Sequence, residues 1–256
     1  MKVEKHWLGH EVQLAQSAGG VLAFANPWDG VVHGRVSPWP PPELTQKLYK
    51  SKQGNAFRGA DTNVATEVLG YYCDLQSVHS EDAVTWSLFG PLAYERPETR
   101  AAFVRQLLEH LGISGPVSSA TIWLWRRLPH PDSLAPGGPE IDVGIQTDRV
   151  LILGEAKWRS SVGTGQGVAG NKDQIQLRAE FCNRYGSRTF PTIDQFIVLG
   201  IGQSLGILSS GQLAHTMSGL SVREMTWDSL GALEANPYAS EFRSQLEWRK
   251  NHSKNA

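Results

Sequence analysis

The sequence predicts an α/β fold, one sheet with helices packed on it. Two observations carry that prediction. From residue 80 onward the segments run helix, strand, hairpin, helix, strand, with a further strand and helices behind. Among them QFIVLGI, residues 195–201, is a continuous apolar run of buried-strand length. With 256 residues, 40% of them hydrophobic, 19% charged and nine tryptophans, the chain has enough apolar material for one sizeable core.

The elements follow in chain order. GGVLAFA, residues 19–25, reads as a strand or buried turn: its apolar run is too short for a secretion signal, and Glu11, Gln13 and Gln16 interrupt the approach to it. SPWPPPEL, residues 37–44, carries four prolines and is expected to run extended, as the nearest thing to a linker. The expected division is an N-terminal segment, residues 1–79, packed on a core domain spanning 80–256. Ser80 is a natural N-cap, followed by Glu81 and Asp82 and then by Val84, Leu88 and Leu92 at helical spacing, with Pro91 bending or ending that helix. Residues 99–111 place Phe103, Leu107, Leu108 and Leu111 on one side of a second helix, stopped by Gly112. TIWLWRR, 121–127, is a strand by its β-branched and aromatic content. After the glycine-rich stretch 159–170, read as a loop or a segment closing over substrate, residues 171–186 form a helix of about four turns closed by Gly186. Residues 221–230 read as a strand leading into a helix, and 239–250 as a last helix.

Net charge is −1, so the chain as a whole is no polycation. Its charge is uneven: residues 157–188 hold six Lys or Arg against two acids, and 61–82 hold five acids and no Lys or Arg. A local positive stripe is what a nucleic-acid partner requires, although a basic run is equally a solvated face. No apolar run is long enough to cross a bilayer. Cys73 and Cys182 make no disulfide framework and read as reduced thiols, which points to a cytoplasmic protein. The eight histidines show no paired metal spacing.

The most informative stretch is PEIDVGIQTDRVLILGEAKW, residues 139–158. Taken as strands 140–146 and 150–157 joined near Thr147, Asp148 and Arg149, it alternates faces. Ile141, Val143, Ile145, Val150, Ile152, Gly154 and Ala156 form a core face; Glu140, Asp142, Leu151, Leu153, Glu155 and Lys157 form the other. A loop of two residues, or four with the same centre, makes cross-strand partner numbers sum to 297, which sets Asp142 opposite Glu155 and Glu140 opposite Lys157. An odd loop without a bulge would set Asp142 beside Gly154 instead. Directly opposed like charges, with Cβ atoms about 5 Å apart, are destabilising. The expectation is that a cation sits between them. Two carboxylates at a strand end suit Mg²⁺ or Mn²⁺, with Lys157 able to orient water and neutralise charge on a phosphate. Glu155 with Lys157 alone also reads as an ordinary surface ion pair.

Asp142, Glu155 and Lys157, so spaced, resemble the PD-(D/E)XK nuclease superfamily over roughly residues 80–230. The resemblance implies a mixed central sheet flanked by helices, a restriction-endonuclease-like core with an added N-terminal segment. It implies Mg²⁺- or Mn²⁺-dependent cleavage of phosphodiester bonds in DNA. Asp142, Glu155 and the carbonyl of Ala156 then hold the metal, Lys157 assists the attacking water, Glu81 matches an acid on the first core helix, and Gln174 (or Gln176) matches a glutamine on the helix after the lysine. The sequence departs from the pattern in lacking the PD dipeptide itself, with EI between Pro139 and Asp142, and in carrying Arg178 where a companion tyrosine stands. Duplex cutting by such a site is expected to need a homodimer, since one site cuts one strand. A free-standing nuclease of this size suggests, by analogy, host defence or a mobile element. The contrasting expectations are a catalytically silent nucleic-acid-binding or assembly module of the same fold, and a nuclease directed at RNA.

Overall fold

The structure is a computed structural model that describes residues 2–16, 20–49, 73–132, 138–160, 172–206 and 219–253. Most of the glycine-rich stretch, residues 161–170, lies outside the described residues. The chain forms two compact units: residues 1–94 with 237–256, and residues 95–236. The expected division after residue 79 is thus replaced by one after Tyr94, with the C-terminal helix belonging to the first unit.

In the first unit, strands β1 (Lys2–Lys5), β2 (Glu11–Gln16) and β3 (Leu22–Phe24) form an antiparallel sheet. The proline stretch does not run extended. Residues 37–40 bend, and Pro42 opens a helix, α1 (Pro42–Tyr49), where its missing N–H has no intrahelical partner to lose. Helix α2 (Glu81–Ala93) begins as expected, with Ser80 Oγ accepting the Ala83 amide at 3.0 Å; it passes through Pro91 and ends two residues later. The last helix of the chain, Ala239–His252, completes this unit. Its Trp248 packs with Val12, Leu14, Phe24 and Val78. Its Arg249, fully buried, donates to the carbonyls of Ser77 (3.0 Å), Val78 (2.9 Å) and Gly30 (2.6 Å). Those bonds are why the helix belongs here and not with the core expected from residue 80.

The second unit is an α/β layer structure built on a five-stranded mixed sheet. Helix α3 (Pro97–His110) precedes it and stops at Gly112, whose φ of +71° is the left-handed conformation a glycine C-cap supplies. Strands β4 (Ala120–Arg127), β5 (Glu140–Thr147) and β6 (Val150–Ala156) follow as an antiparallel meander. Helix α4 (Gln174–Phe181), prolonged by a π-helical turn at Cys182–Gly186 and a short turn at Ser187–Thr189, leads to β7 (Gln195–Gly202), parallel to β6. β8 (Leu220–Thr226) is parallel to β7 and runs straight into α5 (Trp227–Gly231). The sheet order is β4-β5-β6-β7-β8, so β6 is the central strand. The helix of the Ala239–His252 segment is α6. Among the described residues no helix is long and apolar enough to cross a membrane.

Two local expectations are corrected. Gly186 does not close its helix: it sits against Phe196, whose ring a Cβ would approach to 2.9 Å, so the glycine serves close helix–strand packing. The hairpin has more than the one expected core face: on the other, Leu151 and Leu153 pack with Ile175, Ala179 and Phe181 of α4, and every residue of β6 is buried. That burial on both sides is what a central strand of a helix-flanked sheet undergoes.

Candidate active site

The hairpin turn has two residues, Asp148 and Arg149, between Thr147 and Val150. Asp-Arg is a poor turn sequence in itself. Tertiary partners hold it: the Asp148 carboxylate accepts from Ser118 N (3.1 Å), Ser118 Oγ and Ser119 Oγ (2.9 Å), and Arg149 pairs with Asp194. The pairs Gln146–Leu151, Ile145–Ile152, Gly144–Leu153 and Val143–Gly154 all sum to 297, the register the even loop predicts.

The ladder ends there, one pair short of Asp142 and Glu155. In a continued ladder the Ala156 amide would donate to the Ile141 carbonyl; here it donates to Oδ2 of Asp142 at 2.8 Å. On the other side, β5 pairs with β4 through Leu124–Val143 and Arg126–Ile141, again skipping Asp142 and its counterpart Trp125. Trp125 has φ +52°, a conformation that costs a bulky L-residue about 1–2 kcal/mol. Asp142 therefore stands outside both ladders, with its carboxylate in the gap that opens between β5 and β6.

Glu155 is completely buried at the carboxyl end of β6. The Lys157 ammonium lies 2.6 Å from its Oε1, and the Arg178 guanidinium contacts its Oε2. Burial raises the Glu155 pKa, as does the charge of Asp142; Arg178 and Lys157 oppose both, and the balance lies upward. Lys157 and Arg178 thus offset the cost of its negative charge only in part. The chain places two cations of its own on this acid, where the sequence led to the expectation of a bound ion.

Arg178 is also fully buried and has further anchors. Nη1 donates to the Gln174 carbonyl at 2.9 Å, and Nη2 to the Glu140 carbonyl at 2.8 Å. One guanidinium thus bridges α4, the end of β5 and Glu155 of β6. Lys157 is set by its backbone: its amide donates to Ile201 O at 2.7 Å, and its carbonyl accepts from the Trp227 indole at 2.9 Å. Trp123 lies over Gly144, two residues along β5 from Asp142, where a Cβ would come within 2.0 Å of the ring.

The structure brings together Asp142, Glu155, Ala156 and Lys157. Gln174 contributes to the cluster through its backbone carbonyl on Arg178. The alternative, Gln176, has its side chain in the N-cap of α4, accepting the Asp173 amide at 3.0 Å. Glu81 is the first residue of α2, in the first unit, whereas the acid pair belongs to the second. Arg178 and Trp227 were not legible as site residues, although Arg178's place one turn after Gln174 on the expected helix was a signal.

The donor set suits a hard divalent cation. Two carboxylates from adjacent strands meet beside Ala156; Asp142 has Oδ2 engaged by the Ala156 amide, and Glu155 has Oε2 engaged by Arg178 and Oε1 by Lys157. Oδ1, and Oε1 in exchange for Lys157, are the oxygens they can offer. Among the described residues no group of three or more His, Cys, Asp or Glu is placed to hold a metal, so coordination beyond this pair would fall to backbone oxygen, water and substrate. No protein-family model, curated protein or solved structure matches the chain.

Proposed function

We propose that the chain is a divalent-metal-dependent nuclease that hydrolyses phosphodiester bonds in DNA, with Asp142, Glu155 and the Ala156 carbonyl as the Mg²⁺ or Mn²⁺ site. The observation that carries this reading is the buried Glu155 with Asp142 on one side and the Lys157 ammonium 2.6 Å away on the other. Its position supports the reading too, since open α/β sheets bind ligands outside the carboxyl ends of their strands. Bound there, the ion supplies Lewis-acid polarisation of a phosphoryl oxygen and acidification of water.

The chain's own residues do the rest. Asp142 and Glu155 place negative charge at the sheet's end. Lys157, pinned at its amide and carbonyl, presents its ammonium to water and to the charge growing on the phosphate. The test is cleavage of plasmid and linear DNA with Mg²⁺ by the wild type and by Lys157→Ala. A loss of about 10²-fold or more is expected for removing a charge-stabilising donor. Undiminished cutting by the variant removes the mechanism, and cutting of RNA alone moves the substrate.

One observation favours a second reading, a nucleic-acid-binding or assembly module without chemistry. Arg178 and Lys157 already contact both carboxylate oxygens of Glu155, as a purely structural ion-pair network would have them do. Calorimetry with Mn²⁺ separates the two: a silent module shows no metal binding that depends on Asp142.

A further inference from the structure

Resting on the nuclease reading, we infer that Arg178 is a positioning residue of the acid pair. It fixes Oε2 of Glu155 so that Oε1 alone is offered, and Lys157, not Arg178, is the cation that gives way when the pair takes a divalent ion.

The two cations are held very differently. Arg178 is fully buried and makes three anchored contacts: Glu155 Oε2, the Gln174 carbonyl one turn earlier on α4, and the Glu140 carbonyl on β5. The last spans the gap where the β5–β6 ladder stops, so withdrawing the guanidinium would take the donor from two partly buried carbonyls and the cation from Oε2 of a buried carboxylate together. A planar fork matches this three-sided demand, which a point-charge ammonium does not. Lys157 contacts the other oxygen, Oε1, and its side chain retains some exposure, 9% against none for Arg178. Its stem is flexible and its ammonium strongly hydrated, so it moves to water at lower cost. Oε1 and Asp142 Oδ1 are the two oxygens left for an incoming ion, and Lys157 holds the first of them. Release of Lys157 from Oε1 then leaves its ammonium for the substrate phosphate, so loading and the lysine's role are coupled by one exchange.

The experiment is Mn²⁺ titration by calorimetry of the wild type, Lys157→Met, Arg178→Gln, Arg178→Lys and Asp142→Asn, with circular dichroism to establish folding. Charge alone predicts that loss of either cation tightens Mn²⁺ binding. The exchange predicts opposite signs. Lys157→Met tightens binding severalfold. Arg178→Gln, and Arg178→Lys as the variant that keeps the charge, weaken it by about tenfold or more, the usual scale for a residue that orients a ligand. Should either folded Arg178 variant bind as well as the wild type or better, the inference is overturned while the nuclease reading stands. Absence of Asp142-dependent binding in the wild type overturns the nuclease reading and the exchange with it.

Discussion

Replacing Glu155 by Gln tests what holds the centre of the sheet. The substitution keeps shape and one carbonyl oxygen but removes the charge that two buried cations share. Breaking a buried ion pair by changing one partner typically destabilises by about 3–5 kcal/mol, because the other charge remains. Three features put this site at the lower end. Arg178 keeps two carbonyl acceptors, Lys157 has some access to water, and Asp142 remains as a nearby negative charge. A loss of about 3 kcal/mol is expected, which in a protein of this size lowers the thermal midpoint by roughly 6–12 °C. Asp142→Asn should behave otherwise. It removes a charge that opposes ionisation of Glu155, while its amide oxygen can still accept the Ala156 N–H. Its stability should stay within about 1 kcal/mol of the wild type, the two effects offsetting. Urea unfolding, followed by the fluorescence of the nine tryptophans, measures both variants. If Glu155→Gln matches or exceeds the wild type in stability, the carboxylate is not held by Lys157 and Arg178, and the account of the site fails.

Gly144→Ala forces a methyl to within 2.0 Å of the Trp123 ring, and overpacking of this kind should cost about 1–3 kcal/mol in the same unfolding assay, with Trp123→Leu restoring part of it. The first unit should carry an acid sensitivity centred on His6. Its Nδ1 accepts the Leu8 amide at 3.2 Å, so Nε2 bears the proton and donates to the Asp29 carbonyl at 2.9 Å. Burial of this neutral ring lowers its pKa to about 4. The unfolded chain takes up its proton near the ordinary value of about 6.5. The stabilisation is therefore complete above that pH and is lost as pH falls from about 6.5 towards 4. Unfolding midpoints measured across that window should fall in the wild type and flatten in His6→Phe; parallel profiles would refute the assignment.

Much of the second unit was legible because its signals are local. Gly112 as a stop, the apolar run at 195–201 and the even-loop register of the hairpin each depend on residues close in sequence, as does Ser80 as a cap in the first unit. Gly186 misled because a helix-stopping glycine and a glycine making room for Phe196 look the same in one dimension. The proline stretch misled for a related reason: four prolines favour extension, but one of them was placed to begin a helix. At the site, the acids, the lysine and their register were visible in the sequence. Arg178 was visible only as the wrong residue for a pattern. Its role depends on the strands parting at Asp142, and no local rule anticipates that Asp142 leaves both ladders at once.

The return of α6 to the first unit means that residues 95–236 form an insertion in the chain of another folding unit. On the ribosome, the inserted sheet can assemble as soon as its own strands have emerged. Its host must wait for Trp248 and the Arg249 guanidinium, which are made after every strand of the inserted sheet. Until they arrive, the carbonyls of Gly30, Ser77 and Val78 lack that donor and the apolar side chains around Phe24 have an open flank. The interval between the two events is when this polypeptide most needs protection from aggregation.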